Sequence, residues 1–318
     1  MNRVEVAEKL FQEGYNCSQS VFAAFSDLYD MDQETALKLS AGFGGGVGRL
    51  REVCGAVSGM TMLAGLETGT AKKMDDEGKK YNYEVVQRLV EEFKRTSGSI
   101  ICRELLNLEE ATPTDPTPQK RDKEYYNTRP CDQLVKDAAG IIEKVLYAIS
   151  FEAVTEEGQI AKVAQLAKEI WYEHYVSIIG KAQVDYMVER FQSEVAIAEQ
   201  LTNGGYEYYL LKGLGGHCGY IAIRKEEKAL FLSKIYIAKR FRGRGYARKV
   251  IEHLEDICRE DNLSRIWLTV NRDNMNSIKT YEKLGFVKNG TQVADIGAGF
   301  VMDDYIMERS MIETIIGF

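Results

Sequence analysis

Ile235-Tyr236-Ile237-Ala238-Lys239-Arg240-Phe241-Arg242-Gly243-Arg244-Gly245-Tyr246-Ala247-Arg248-Lys249 decides how the second half of this chain folds. A β-branched and aromatic run gives way to a turn rich in glycine and arginine, which opens directly into the amphipathic helix Val250 to Arg259. Strand, turn and helix N-terminus in that order make a seat for phosphate. Glycine lets the backbone approach an anion, successive N–H groups point into the turn, and the helix dipole adds partial positive charge. Lys239, Arg240, Arg242, Arg244, Arg248 and Lys249 crowd this turn in a chain whose net charge is −7. A bound polyanion is the simplest reason for such a reversal of sign. Arg-Gly repeats also occur in solvated turns and in disordered nucleic-acid contacts; the flanking strand and helix favour the phosphate seat.

Outward from this turn, the second half alternates between helix and strand. Helices are expected at about 156–175, 181–200, 243–261 and 274–284. Strands are expected at about 206–212, 218–225, 229–238, 264–271, 285–292 and 300–309. Early hairpin-like strands followed by a strand–helix–strand crossover predict a mixed sheet with flanking helices.

The first half reads as helix throughout. Val4, Ala7, Leu10 and Phe11 recur at helical spacing, and Val21, Phe22, Phe25 and Leu28 repeat the pattern behind a candidate N-cap, Asn16. A third helix runs from about Gln33 to Phe43 and stops at Gly44-Gly45-Gly46. Others are expected at about Val53 to Leu66, Ala71 to Arg95, around Cys102 to Leu108, and at Cys131 to Tyr147. Thr112 to Lys120 is a loop within this half. The domain boundary is expected near 148–151, where helical periodicity yields to the strand-like Ile149 to Val154.

At 318 residues the chain has room for two domains, each with a core. Basic and acidic residues number 19 and 24 in positions 1–150, and 22 and 24 in the remainder, so neither half offers a general nucleic-acid or anionic-membrane surface. The opening Met1 to Gly14 is charged and helical in pattern, unlike a secretory signal. Ala56 to Leu66, the most apolar run, is too short to span a bilayer. The expected location is cytoplasmic, where six cysteines are thiols or ligands before they are disulfides.

Two segments of the second half resemble the GNAT superfamily of acetyl-coenzyme A-dependent N-acetyltransferases. Arg242-Gly243-Arg244-Gly245-Tyr246-Ala247 matches its Q/R-x-x-G-x-G/A signature. Leu268 to Phe286, with Asn271, Asn274, Ser277, Tyr281 and Gly285, matches its later strand and N-x-x-A/S-x-x-x-Y helix. The likeness covers about residues 150–318. It implies that the main chain of Gly243, Arg244, Gly245, Tyr246, Ala247 and Arg248, with the Arg242 and Arg244 side chains, cradles the pyrophosphate. It further implies that the backbone of Tyr236 and Ile237 holds the pantetheine arm, that Asn274 caps its helix and touches the cofactor, and that Tyr281 is the general acid for the leaving thiolate. A strand N–H would stabilise the tetrahedral oxyanion.

The general base is open at this point. Ser233 stands near the strand position where many relatives carry Glu, which leaves water, Glu173 or His174. Asp303 and Asp304, on a late strand, could attract a cationic amine or simply be solvated.

Cys17, Cys54, Cys102 and Cys131 are separated by 37, 48 and 29 residues, with no C-x-x-C, so spacing alone makes no zinc site. Cys17, Cys102 and Cys131 fall at expected helix starts, which favours thiolate; Arg49 and Arg51 before Cys54 act in the same direction. Gly55, Ala56 and Gly59 leave a smooth helix face for close approach of a helix or a cofactor. Each thiol could equally be a small buried apolar group. Gly14 to Val21, Phe43 to Gly48, Cys54 to Gly59, Cys102 to Leu106 and Arg129 to Cys131 resemble the family of redox-active proteins named for a Cys…GCAxxG…Cys…Cys pattern, over about residues 1–147. Here Cys54 precedes its glycine, so the likeness lies in the four-cysteine arrangement. Cys218 and Cys258 are expected in the core.

The reading is an all-α helical bundle, 1–148, with four cysteines for redox chemistry or a metal of unassigned identity. It is followed at 149–318 by an α+β, GNAT-like mixed sheet with flanking helices, an N-acetyltransferase that uses acetyl-coenzyme A on a small primary amine. Its partner is that amine; neither nucleic acid nor membrane is expected, and a homo-oligomer is left open. The alternative is a thiol or metal sensor whose second half binds acyl-coenzyme A without turnover.

Overall fold

Asn2 and Asn16 start the first two helices in the same way. Each side chain accepts a hydrogen bond from the amide three residues on, and the side chain there, Glu5 or Gln19, returns one to the cap amide. Two orphan donors are satisfied at each helix start. The computed structural model describes residues 2–109 and 114–311, and the chain divides into two compact units, Met1–Ala148 and Ile149–Phe318. Part of the expected loop, 110–113, lies outside the described residues.

The first unit holds α1 (Arg3–Gln12), α2 (Cys17–Ala23), α3 (Gln33–Ser40), α4 (Gly55–Thr68), α5 (Asp76–Ser97), α6 (Cys102–Leu105), α7 (Lys123–Thr128) and α8 (Cys131–Val145). α2 is shorter than its apolar spacing predicts. The chain tightens into a 3-10 turn at Ser26–Tyr29, which keeps Phe25 fully buried. α5 begins later than expected because Asp75 caps it. α7 was not expected; Asp122 caps it by accepting from the Tyr125 amide at 3.0 Å. The smooth face of α4 receives a helix. A Cβ on Gly59 would lie 2.9 Å from the Val21 Cβ, and one on Gly55 would lie 3.1 Å from the Ser18 amide, so α2 and α4 cross at glycine distance.

The second unit holds β1 (Ser150–Ala153), α9 (Glu157–His174), α10 (Val176–Ile179), α11 (Lys181–Phe191), α12 (Glu194–Thr202), β2 (Tyr206–Gly213), β3 (Gly216–Lys225), β4 (Ala229–Ile237), α13 (Tyr246–Glu260), β5 (Arg265–Asn271), α14 (Met275–Lys283), β6 (Val287–Gly297) and β7 (Phe300–Ser310). The single helix expected at 181–200 is two. Ser193 caps α12, and Gln192 turns inward to accept from the Tyr220 hydroxyl at 3.1 Å.

The seven strands lie in the order β1-β2-β3-β4-β5-β7-β6, and every neighbouring pair is antiparallel except β4 and β5. That parallel pairing lasts three residues, from Ala229↔Arg265 to Phe231↔Trp267. Beyond it β4 stays paired with β3 as far as Ile237, and β5 with β7 as far as Asn271. Ala222 faces Lys234 whereas Ile223 faces Leu232, which leaves Ser233 as the extra residue of a bulge. Bulges bend and twist a strand. The parallel ladder of β4 with β5 ends at Phe231↔Trp267, beside this bulge.

Beneath α12, Lys234 is 7% exposed. Its Nζ donates to Gln200 Oε1 and to the Tyr208 hydroxyl, both at 2.6 Å. Burial draws its pKa down to about 7.

Two predictions follow from this packing. Gly59→Ala forces α2 from α4 and lowers stability by about 1–3 kcal/mol in urea unfolding, against a small gain in helix propensity. The unfolded chain keeps the Lys234 proton up to about pH 10, so stability rises with pH above 7 on account of this group. In Lys234→Met that contribution is absent: the difference in unfolding free energy between the two proteins shifts by about 1 kcal/mol per pH unit between pH 7 and 10.

Candidate functional site

Where β4 and β5 part, Tyr236 and Ile237 stay paired with Tyr220 and Gly219 of β3 and have no ladder partner on the β5 side. On the β3 side the strands press so close that a Cβ on Gly219 would collide with the Tyr236 carbonyl oxygen. The chain then turns through Lys239–Phe241, with Gly243 and Gly245 at φ 80° and 78°, conformations glycine adopts without strain. Gly245 is the N-cap of α13, with no side chain capping it. Tyr246, Ala247 and Arg248 thus form the first turn of α13. The Tyr246 ring is buried, so this residue offers a ligand only its main chain. The Arg240 and Arg244 guanidinium groups lie over the Phe241 ring, at 4.7 and 5.3 Å from its centroid.

Arg242 braces the site. Its Nε donates to the Ile237 carbonyl at 2.9 Å, and its Nη2 meets Glu173 Oε2 at 2.6 Å. The second Glu173 oxygen faces Nη1 at 3.4 Å. Glu173, one of the expected bases, is thereby one half of a strut between α9 and the end of β4. His174 is tied to the Asn274 side chain at 3.3 Å, and burial, reinforced by Arg242, lowers its pKa. Asn274 caps α14, accepting from the Ser277 amide at 3.4 Å.

An aromatic cluster lines the cleft. Tyr175 stacks on Trp171 at 4.4 Å between centroids and meets Tyr236 edge-on at 6.2 Å. Burial raises the pKa of its phenol, and Tyr236 and Asn274 beside it oppose the rise. The Tyr281 phenol lies near Tyr175 and Tyr236; burial first, then Tyr175, raises its pKa well above the ordinary value, so it stays protonated.

Asp304 is also a neighbour of Tyr175. It is paired across the sheet with Asn271 and is fully buried. Neither carboxylate oxygen has a hydrogen-bond partner of good geometry among the described residues. Burial pushes its pKa up to about 6; the Thr269 hydroxyl opposes the rise and the Asp303 charge adds to it. Asp303 itself is paired with Arg272 at 2.6 Å. Tyr175 carries no motif of its own, and only its place after His174 at a helix end could have drawn notice.

In the first unit, Cys17, Cys102 and Cys131 are first residues of α2, α6 and α8, and Cys54 is the N-cap of α4. All four are buried and near enough to influence one another electrostatically. Cys17 and Cys131 influence each other most strongly. Helix starts were expected to favour thiolate at three of them. Instead the Cys131 thiol and burial raise Cys17, burial takes Cys54 up to about 12, and burial raises Cys102. Cys131 alone is lowered, to about 7, by Cys17 first, with Arg129 and Arg121 adding to it. Arg51 serves Cys102, at 4.0 Å from its sulfur, and not Cys54 as expected; Arg49 turns to the Asp115 carbonyl.

The loop that delivers Arg51 is left-handed at Gly45, Gly46, Val47, Gly48 and Arg49. At Val47 that conformation is a true outlier, the kind of strain that collects at functional sites. A Cβ on Gly46 would lie 2.7 Å from that of Cys102. Among the described residues no three His, Cys, Asp or Glu side chains are grouped so as to hold a metal ion. Three guanidinium groups around the thiols also repel a cation, so the cluster does not fit the expected metal. Cys218 and Cys258 are buried in the second unit.

Residues 168–286 match the family described as acetyltransferase (GNAT). An uncharacterized N-acetyltransferase of Mycobacterium tuberculosis and one of Mycobacterium bovis are each 30% identical over 135 residues, 42% of this chain and 86% of theirs. Another from Lactobacillus delbrueckii subsp. lactis is 25% identical over 133 residues, 39% of this chain and 76% of its own. Among solved structures, the PaiA N-acetyltransferase of Thermoplasma acidophilum in complex with coenzyme A is 17% identical, with a TM-score of 0.41 over 51% of this chain and 99% of that one. The chain belongs to the GNAT acetyltransferase family. Residues 15–145 match a second family, described as "Putative redox-active protein (C_GCAxxG_C_C)", so the acetyltransferase is fused to a domain of that family. No helix among the described residues is long and apolar enough to cross a membrane.

Proposed function

We propose that the second unit transfers acetyl from acetyl-coenzyme A to a small primary amine. The observation that carries this reading is the open edge of β4 leading into the left-handed turn at Gly243 and Gly245 and the start of α13. An extended pantetheine arm can add to that edge by main-chain hydrogen bonds, while the pyrophosphate meets the first-turn amides of α13. Arg242, held by Glu173, fixes the end of β4 against which the thioester carbonyl lies. Asn274 holds the start of α14, and with it Tyr281, against the same cleft.

The amine nitrogen attacks the thioester carbon, and the resulting oxyanion is stabilised by a β4 N–H. The C–S bond breaks, and the thiolate takes its proton from the Tyr281 phenol. The proton lost by the amine goes to Asp304, whose buried carboxylate without a counter-charge also suits a cationic substrate. Its pKa of about 6 leaves it mostly ionised at neutral pH and still basic enough to accept a proton. Glu173, engaged by Arg242, positions the site and does not take the proton.

Release of free thiol from acetyl-coenzyme A, screened over polyamines, aminoglycosides and amino acids, tests this reading. An amine that gives saturable release is expected. Tyr281→Phe lowers kcat by about 10²-fold or more. Wild-type kcat falls as pH drops through about 6, and Asp304→Asn is slow with that acid limb gone. Saturable binding with no thiol release from any amine would favour a sensor of acyl-coenzyme A.

A further inference from the structure

β6 ends the sheet: β7 pairs with its inner side, and among the described residues no strand pairs with its outer side. It is eleven residues long, and every residue from Val287 to Val293 is exposed, so neither face of this stretch is covered. Val287 and Val293 stand 65% and 69% exposed. Such an edge offers a row of N–H and C=O groups to any strand that reaches it, and proteins guard edges by shortness, lysine, proline or a bulge. The opposite edge is guarded: β1 has four residues, with Glu152 tied to Lys212 and His217. On β6, Lys288 and the bulge between Lys288 and Gly290 guard only the beginning. From Gly290 to Asp295 the ladder runs without a shift, and Gly-Thr-Gln-Val-Ala-Asp holds no proline and no basic residue.

We propose that the edge is taken by a second copy of this chain, β6 against β6, antiparallel and two-fold about Val293. The register argues for this occupant. Lys288, Thr291, Val293 and Asp295 pair with Met307, Tyr305, Asp303 and Val301 of β7, alternate residues that share one face. The bulge at Asn289 brings Lys288 into that row, which holds both charged residues of β6, one of each sign. A second copy related by the two-fold axis reads the row in reverse. Val293 then meets Val293, and the Thr291 hydroxyl meets the Asp295 carboxylate. Asp295 also lies diagonal to Lys288, within reach of its long side chain. Neither charge is locked away: Lys288 reaches Glu282 only at 3.5 Å, and one Asp295 oxygen accepts from the Gly297 amide at 2.8 Å. A register centred on Gln292 would set Val293 against Thr291 and Asp295 against the bulge. The pairing joins the seven strands of one copy to those of the other and removes both exposed edges.

The test uses the full-length protein. Sedimentation at micromolar concentration should give a dimer. Val293→Lys sets two ammonium groups face to face and should raise the dissociation constant at least about tenfold, with the circular dichroism spectrum unchanged. Lys288→Asp and Asp295→Lys should each weaken the dimer, and the two together should restore it. The register is read by cross-linking, since the six native cysteines are buried. Val293→Cys should link two copies on mild oxidation. Thr291→Cys and Asp295→Cys should not link to themselves but should link to each other when the two proteins are mixed. A monomer overturns the proposal, including one whose β6 amides resist exchange, because other residues of the same chain would then hold the edge. So does a dimer indifferent to Val293→Lys, or one that cross-links best in another register.

Discussion

Three residue pairs of parallel ladder, Ala229↔Arg265 to Phe231↔Trp267, are the hinge of the second unit. The Phe231 and Trp267 rings stack at 4.2 Å where the ladder ends. Past them, each strand is committed to its outer neighbour, β4 to β3 and β5 to β7. A backbone edge in the interior of a sheet is a liability unless something pairs with it. Near it Tyr175, at the end of α9, adjoins Asn274, the cap of α14, and Tyr281. A β5 that followed β4 to its end would leave neither an edge for a thioester arm nor room for an acceptor.

The same contest between local dipole and burial recurs at every titratable group that matters. Helix N-termini favour thiolate, yet burial outweighs them at Cys54 and at Cys102, where Arg51 and Arg129 oppose it, and at Cys17 it joins the effect of Cys131. Only at Cys131, where Cys17 acts first and Arg129 and Arg121 add to it, does the balance turn. Burial likewise raises Asp304 and lowers Lys234, but to different ends. Asp304 adjoins the aromatic cleft, whereas Lys234 donates to Gln200 and Tyr208 within the core under α12.

Much of this was legible in the residues because it is local. The strand, the Gly243 and Gly245 turn and α13 follow one another without interruption, and Asn16 and Asn274 announce their helices as caps. Gly55 and Gly59 gave the contact face of α4, though not which neighbour would occupy it. What depends on distant partners was hidden. Glu173 met Arg242 from 69 positions away, and Arg51 passed over Cys54 for Cys102. The break at Gln192 answers a tyrosine three elements further on, and apolar periodicity carries no sign of that. The bulge at Ser233 is equally invisible, because it is a mismatch of register between strands and not a property of either one.

Hydrogen–deuterium exchange of the intact protein, with and without saturating acetyl-coenzyme A, probes the open edge directly. If β4 beyond Phe231 and the start of α13 are the seat of the thioester and its diphosphate, peptides spanning 232–249 slow their exchange on addition of the ligand. The paired segment of β4 before Phe231 does not change. Saturable binding that leaves 232–249 exchanging as before would contradict the account.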